Sequence, residues 1–338
     1  MKTTTVGLDL AKNVFSLHGT DAHGNVTLRK TVRRSRLLEL FAQLPPCVVG
    51  MEACSGAQHW SRRLLALGHT PRIMAAEFVA PYRHGGKNDS NDAAAICEAV
   101  TRPSTRFVPA KSVEQQAVLA VHRVRQGLVE ERTALANRLR GLLAEYGVSI
   151  GAGIDRLRRA LPEVLADGDN GVPGLAREVF ADMGDHLREL DARIGLYDRR
   201  IAALAQASEP ARRLMRVEGV GPVTATAIVA SVGDAKVFRN GRQFAAWLGL
   251  VPRQHSTGGK QRLGTITKHG DVYLRTLLIH GSRAVLRVSS RHDDAKSRWV
   301  QNLRQRSHDN VAAVALAAKH ARIIWALLAR GHQYQPAT

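Results

Sequence analysis

Cysteine is scarce in this chain. Cys47, Cys54 and Cys97 are the only three in 338 residues, and no two stand in a C-x-x-C spacing. An odd count without that spacing excludes a disulfide scaffold and a cysteine zinc site, and it fits a reducing compartment. Aromatic residues make up only 5%, which argues against a protein that reads single-stranded bases by stacking. Zinc-finger spacings and a homeodomain pattern are also missing, so no base-reading module is expected. The opening MKTTTVGLDL lacks the apolar core of a secretory signal. The most apolar late stretch, Val311 to Leu328, is interrupted by Lys319, His320 and Arg322, so no membrane span is expected. Acidic residues are short as well. Asp and Glu total 29 against 49 Lys and Arg, for a net charge of +20. A soluble, cytoplasmic chain with that excess points to a polyanionic partner, of which nucleic acid is the commonest.

What is present is enough for real cores: 44% of the residues are hydrophobic, and the length predicts more than one domain. The charge is uneven. Residues 1–110 carry 14 basic and 8 acidic side chains, net +6; residues 111–240 carry 19 and 17, net +2; residues 241–338 carry 16 and 4, net +12. A balanced, charge-dense middle predicts solvated helices laced by ion pairs. An acid-poor end predicts a surface that meets phosphates.

Alternation at residues 3–10, 13–19 and 26–31 predicts three strands in an antiparallel meander. Helices are expected over 35–44, 57–67 and 89–100, with strands at Cys47–Met51 and Pro71–Ala75. Residues 1–110 thus read as an α/β domain with a mixed five-stranded sheet. Residues 111–207 read as a helical hairpin or coiled-coil arm, its two long helices (112–147 and 175–207) separated by a Pro- and Gly-bearing stretch at 161–174. Residues 208–338 read as a mostly α-helical C-terminal domain, whose last helix has Asp309 as N-cap and Gly331 past its end.

Four of the eight acids in residues 1–110 stand out. Asp9 is on the first strand, facing away from its Val/Leu side. Glu52 ends the apolar strand, and Asp89 and Asp92, three apart, share a face at the start of a helix. Taken singly, each has a plain reading: a solvated strand Asp, a strand-end Glu, and an N-cap with a first-turn acid. Together they suit hard divalent cations, which two-metal sites use to clamp the attacking and leaving oxygens of a phosphodiester.

The segments GLDLAK (7–12), MEACSG (51–56) and KNDSNDAAAI (87–96), followed by a basic, Gly-bearing C-terminal part, resemble the insertion-sequence 110 transposase family, and its subgroup 1111 in particular. The resemblance spans essentially the whole chain. It implies a ribonuclease-H/RuvC-like N-terminal domain with a DEDD tetrad, here Asp9, Glu52, Asp89 and Asp92, holding Mg²⁺ (two ions per site, with Mn²⁺ able to substitute). It also implies action on DNA within a prokaryotic cell, a structured guide RNA from the element that pairs with donor and target, and a homo-oligomer, a dimer or tetramer.

A second site is the loop PRQHSTGGK (252–260). From its residues alone it is a phosphate-contacting loop, with glycines that allow close backbone approach. It is not a Walker A loop, because Gln261 follows Lys260. The resemblance places a nucleophilic serine here, matching Ser256, with Thr257 as the adjacent alternative, in a composite site with carboxylates from another subunit. His255 reads as a base or a phosphate contact. Val217-Glu218-Gly219-Val220-Gly221 resembles a helix-hairpin-helix that presents N–H groups to a DNA backbone. The expected nucleic-acid contacts are Lys87, Gly219, Gly221, Arg253, Lys260, Arg262, Lys268 and Arg275. Two other readings remain open from the sequence: a metal-dependent junction nuclease using water, and a non-enzymatic basic binder, which would have no use for the carboxylates.

Overall fold

The computed structural model describes residues 2–86 and 88–335. The chain divides into two compact units, one reaching to Val113 and the other beginning at Glu114.

The first unit opens with β1 (Thr5–Asp9), β2 (Val14–Thr20) and β3 (Val26–Arg33). It continues through α1 (Leu37–Ala42), β4 (Val48–Glu52), α2 (Ala57–Ala66), β5 (Thr70–Met74), α3 (Ala76–Val79), α4 (Asp89–Ala99) and β6 (Phe107–Val108). The sheet order is β3-β2-β1-β4-β5-β6. β1, β4 and β5 run parallel, and β2, β3 and β6 pair antiparallel with their neighbours. Among the described residues the sheet has six strands, not the five expected. The sixth is only two residues long, pairing Ile73 with Val108 and Met74 with Phe107, too short for any alternation to show in sequence.

Strand alternation sorts the side chains between two faces. Val6, Leu8, Phe15, Leu17, Val49 and Met51 pack with Leu37 and Phe41 of α1 and with Trp60 and Leu64 of α2. The opposite face receives α4. There Gly7 and Gly50 stand side by side in the β1–β4 register, and both are indispensable to the approach. A Cβ on Gly7 would lie 2.1 Å from Ala93 O and 2.4 Å from Cys97 N, and one on Gly50 would lie 2.9 Å from Val100 Cβ. The helix backbone therefore rests directly on the sheet.

The second unit begins with the arm. Its helices are α5 (Val113–Ala144), α6 (Ile154–Ala166) and α7 (Gly174–Ala207). The pairs Arg125–Asp198 and Arg132–Asp191 show that α5 and α7 run in opposite directions. The separating stretch is shorter than expected, because α6 is helical through Pro162. Leu157 and Leu161 of α6 are buried with Leu139, Leu143, Phe180 and Leu187, and this packing outweighs the cost of an interior proline. The ion-pair lacing expected of the charge-dense middle is present: Arg158 bridges Asp155 and Asp191.

The rest of the unit comprises α8 (Glu209–Leu214), α9 (Pro222–Val232), α10 (Gly241–Trp247), β7 (Pro252–Gln254), β8 (Leu263–Ile266), α11 (Val272–Val288), α12 (Ala295–Arg306) and α13 (Asp309–Arg330). Leu214, Ile228, Phe244, Leu274, Leu278, Ala321 and Ile324 form its main core. α13 is long and apolar enough to cross a membrane, but Leu316, Ala317, Ile324 and Leu327 along it are buried in this protein core. Its N-cap is His308, whose side chain accepts from Asn310 N. Asp309, expected in that role, is instead gripped by Arg304 at 2.8 and 3.1 Å. His122 of α5 is buried and hydrogen-bonded to Tyr273 Oη and Thr226 Oγ1, each at 3.0 Å. One neutral imidazole thus fastens the arm to α9 and α11, and burial pulls its pKa down to about 4, helped by Arg125 and Arg123.

Substituting Gly7 by Ala should force α4 off the sheet. The expected cost is about 1–3 kcal/mol or more, typical of overpacking, read as a lower calorimetric unfolding temperature. Gly127→Ala in α5, where an added Cβ meets nothing within 4 Å, should be neutral or stabilising by about 0.5–1 kcal/mol. Equal stability of wild type and Gly7→Ala would mean that α4 does not depend on this close approach.

Candidate active site

Asp9 closes β1 and Glu52 closes β4. Because Leu8 pairs with Met51 in parallel register, the two carboxylates end neighbouring strands side by side. Each lies two residues beyond its glycine, so each faces the α4 side. Ala93 of α4 sits against Gly7, which carries the preceding turn, with Asp89 and Asp92, toward the same sheet end. Asn88 caps α4 through a 2.8 Å bond from Asn91 N to its Oδ1. That leaves both aspartates unused by the helix terminus, contrary to the plain reading of Asp89 as N-cap.

The charges of the other three carboxylates act on Asp9. Asp9 is pushed up from 3.8 to about 6, first by burial and then by the charges of Asp92, Asp89 and Glu52. The thiol of Cys54 is also raised, by burial and then by Glu52 and Asp9. The structure thus brings together the four residues singled out from the sequence. It also shows something the sequence did not announce: Asp92 is ion-paired with Arg83, from the segment before α4. No spacing pattern links these two residues, so only the fold reveals the pair.

Among the described residues, no group of three or more His, Cys, Asp or Glu is placed to hold a metal ion. The chemistry of the donor set nonetheless fits a hard divalent cation. It is all oxygen, with Asp9, Glu52 and Asp92 partly buried and Asp89 exposed, and the negative charges around Asp9 are ones a cation would relieve. Asp9, Glu52, Asp89 and Asp92 are the residues whose oxygens would have to close on such an ion, and Asp92 would have to leave Arg83 to do so.

The serine loop lies in the second unit and is a β-hairpin. β7 and β8 pair antiparallel, and Gly258 (φ 56°) and Gly259 (φ 75°) make the turn, closed by Lys260 N to Thr257 O at 3.1 Å. Consecutive positive φ angles are what a tight two-residue hairpin needs, so the glycine pair has a structural task at the tip. Ser256 is exposed. Its Oγ accepts from Gln254 Nε2 at 2.9 Å and from Arg262 N at 3.2 Å. Arg253, Lys260, Arg262 and Lys268 are all exposed around it.

Arg275 does not belong with them. It is 7% exposed, and its guanidinium donates to Leu248 O at 3.0 Å and His269 O at 2.8 Å. It braces the base of the hairpin and is not presented to a phosphate. Gly219 and Gly221 flank the turn before α9. Gly219 (φ 80°) is pressed against α11, where an added Cβ would lie 2.7 Å from Gly281 O; close helix packing already explains it. Gly221 has open space around it. Lys87, expected beside the aspartates of α4, lies outside the described residues.

Comparison with known proteins gives a consistent result. Residues 6–148 match the transposase family named for the DEDD transposases of IS110, and residues 211–297 match the transposase IS116/IS110/IS902 family. The chain is 53% identical over 337 residues to a probable family 20 transposase of Pseudomonas aeruginosa, covering 99% of this chain and 100% of the relative. It is 44% identical over 330 residues to the transposase for insertion sequence element IS1111A of Coxiella burnetii, covering 98% and 91%. It is 38% identical over 330 residues to the transposase for insertion sequence element IS1328 of Yersinia enterocolitica, covering 97% of each.

The raised pKa of Asp9 predicts a stability effect of definite sign. Folding raises its pKa from 3.8 to about 6, so the folded chain holds this proton more tightly than the unfolded chain. The carboxylate therefore costs stability above pH 6, and the cost fades as pH falls toward 4. Asp9→Asn should raise the metal-free unfolding temperature at neutral pH, by a free energy on the order of 1–3 kcal/mol, with the gain vanishing near pH 4. No gain at neutral pH would show that neither burial nor its neighbours' charges raise the Asp9 carboxyl.

Proposed function

The chain belongs to the IS116/IS110/IS902 family of transposases and is a DNA transposase enzyme of an insertion sequence; on that premise we propose that it cleaves and rejoins DNA through a covalent phosphoserine. Asp9, Glu52, Asp89 and Asp92 bind Mg²⁺ in this reading. The observation that carries it is the placement of Asp9 and Glu52 at the ends of neighbouring parallel strands, with α4 seated so that Asp89 and Asp92 lie toward the same sheet end; burial and then the charges of the other three raise the Asp9 carboxyl. A purely architectural DNA binder has no use for that repulsion. When bound, the cation supplies Lewis-acid stabilisation of charge at the phosphate.

Ser256 is the nucleophile. Two N–H donors, from Gln254 and the Arg262 backbone, already point at its Oγ. They orient its lone pairs and stabilise the oxygen as its proton leaves to water. Attack forms an Oγ–P bond and breaks the P–O bond to the departing strand, whose oxygen takes up a proton. The ester is conserved, so a hydroxyl of a second strand can reverse the step and rejoin DNA without an external energy source. The exposed cations Arg253, Lys260, Arg262 and Lys268 hold the flanking phosphates, and His255 joins them as a phosphate contact.

Target choice is delegated to a structured guide RNA. The chain has few aromatics and a large positive excess, which suits recognition of shape and backbone while base pairing reads sequence. The protein acts as a homodimer that pairs into a tetramer.

Asp9→Asn and Ser256→Ala should each reduce strand exchange by at least about a thousandfold, with DNA affinity changed by only a few-fold. Wild type should leave protein joined to a DNA end under denaturing conditions. A product that remains free of protein would instead support hydrolysis by water, and an adduct persisting in Ser256→Ala would move the nucleophile to Thr257. RNA copurifying with the protein should contain segments complementary to both donor and target; its absence from an active preparation would remove the guide.

A further inference from the structure

A second feature of the first unit lies outside the carboxylates. On the face covered by α1 and α2, a cleft of about 670 Å³ is lined by Asn13, Arg33, Arg34, His59, Trp60 and Arg63, among others, and among the described residues no Asp or Glu lines it. It is built from three separate pieces of chain. Asn13 lies in the connection that follows Asp9, Arg33 ends β3 opposite Val14, and His59 and Arg63 are one turn apart on α2, which starts five residues after Glu52. β1 and β4 end, β2 begins and β3 ends at the same edge. The cleft therefore opens at the sheet end that carries the carboxylates.

Its geometry is fixed by packing. The Arg34 guanidinium stands 5.2 Å from the Trp60 ring centre and 5.7 Å from that of Phe15, and its backbone N–H donates to Asn13 O at 2.8 Å. Trp60 is 5% exposed and Phe15 fully buried, so the cation is held on a rigid aromatic floor. Arg33, Arg63 and His59 are exposed around it. The field of these cations is felt locally: the His59 imidazole is lowered by burial and then by Arg62, Arg63 and Arg34.

We propose that this cleft is a phosphate-binding site that holds the backbone of a nucleic acid extending past the carboxylate end of the sheet. Guanidinium forks match phosphate oxygens in pairs, and three of them on two elements accommodate successive phosphates of one strand. The indole is covered by Arg34 and buried, so no aromatic face is offered to a base. The site therefore holds the backbone and does not read sequence. The open cleft admits a continuous chain, where a site for a small phosphate ester would enclose its ligand. The inference rests on the reading above only for the direction of the strand. The binding it predicts does not pass through the carboxylates.

The test uses the full chain carrying Arg33→Ala and Arg63→Ala together. Both residues are exposed, so folding is preserved, whereas Arg34 is kept because it packs on Trp60. Arg36→Ala, removing an exposed arginine paired with Glu39, is the control. Anisotropy of labelled DNA and RNA oligonucleotides of one sequence is followed against salt. The double variant should bind about tenfold or more weakly at low salt, and the slope of log affinity against log salt should fall by about 0.7–0.9 for each phosphate that is no longer neutralised. Weakening of the DNA probe alone assigns the cleft to the substrate strand, weakening of RNA alone assigns it to an RNA, and weakening of both assigns it to either backbone. Unchanged affinity and slope for both probes, with Arg36→Ala behaving identically, overturn the proposal. Strand exchange by wild type and Asp9→Asn, measured separately, reports on the catalytic reading, so a failure of this site is separable from a failure of that reading.

Discussion

The first unit depends on one close approach, that of the α4 backbone to the sheet across Gly7 and Gly50. Neighbouring strands carry the two glycines in register, and together they leave a floor without side chains under Ala93, Ile96, Cys97 and Val100. Strand geometry then puts the residue two positions beyond each glycine on the same face. Those residues are Asp9 and Glu52. The helix laid on the glycines brings its first turn, with Asp89 and Asp92, to the same end. Glycines at i and acids at i+2 on two strands therefore bring four carboxylates to one sheet end from a packing requirement. The cost of this arrangement shows at Asp9, whose carboxyl is raised first by burial and then by the charges of its three neighbours.

That cost is already partly offset within the chain. Asp92, half-buried at the start of α4, is neutralised by Arg83, and Asn88 spares both aspartates from capping duty. With Arg83 in place, Asp92 is paired inside the protein. On the proposed reading, a divalent cation held here would compete with that arginine for Asp92.

Much of the first unit was legible because its signals are local. Alternation gave β1 to β3 and the face of Asp9, and a short apolar run gave β4 with Glu52 at its end; the two glycines beneath α4 show only in the fold. The sixth strand was not legible, since two residues hold no period. Helix α6 was hidden by Pro162, whose penalty is met by burial of Leu157 and Leu161 against partners remote in sequence. Arg275 read as one more cation in a basic stretch. Its neighbours in the chain say nothing of the two carbonyls, Leu248 O and His269 O, that enclose it. Arg83 escaped notice for the same reason, because its partner is defined by how the segment before α4 folds back. The cleft at Arg33 and Arg63 joins pieces that no single window of sequence contains.

The hairpin that bears Ser256 is exposed along its strands and turn, yet its root is held by a buried cation. Arg275 ties the residue before Gly249 and the residue before Gly270 to α11, so the two ends of the hairpin segment are anchored to one helix. Geometry at the tip is set by its own ladder and turn, and geometry at the root by the core. The two can vary separately. A lineage of such proteins could exchange tip residues, altering which phosphates are gripped, without disturbing the helices beneath, whereas a change at Arg275 would detach the whole hairpin at once. Divergence in this part of the molecule should therefore be graded by height above the root.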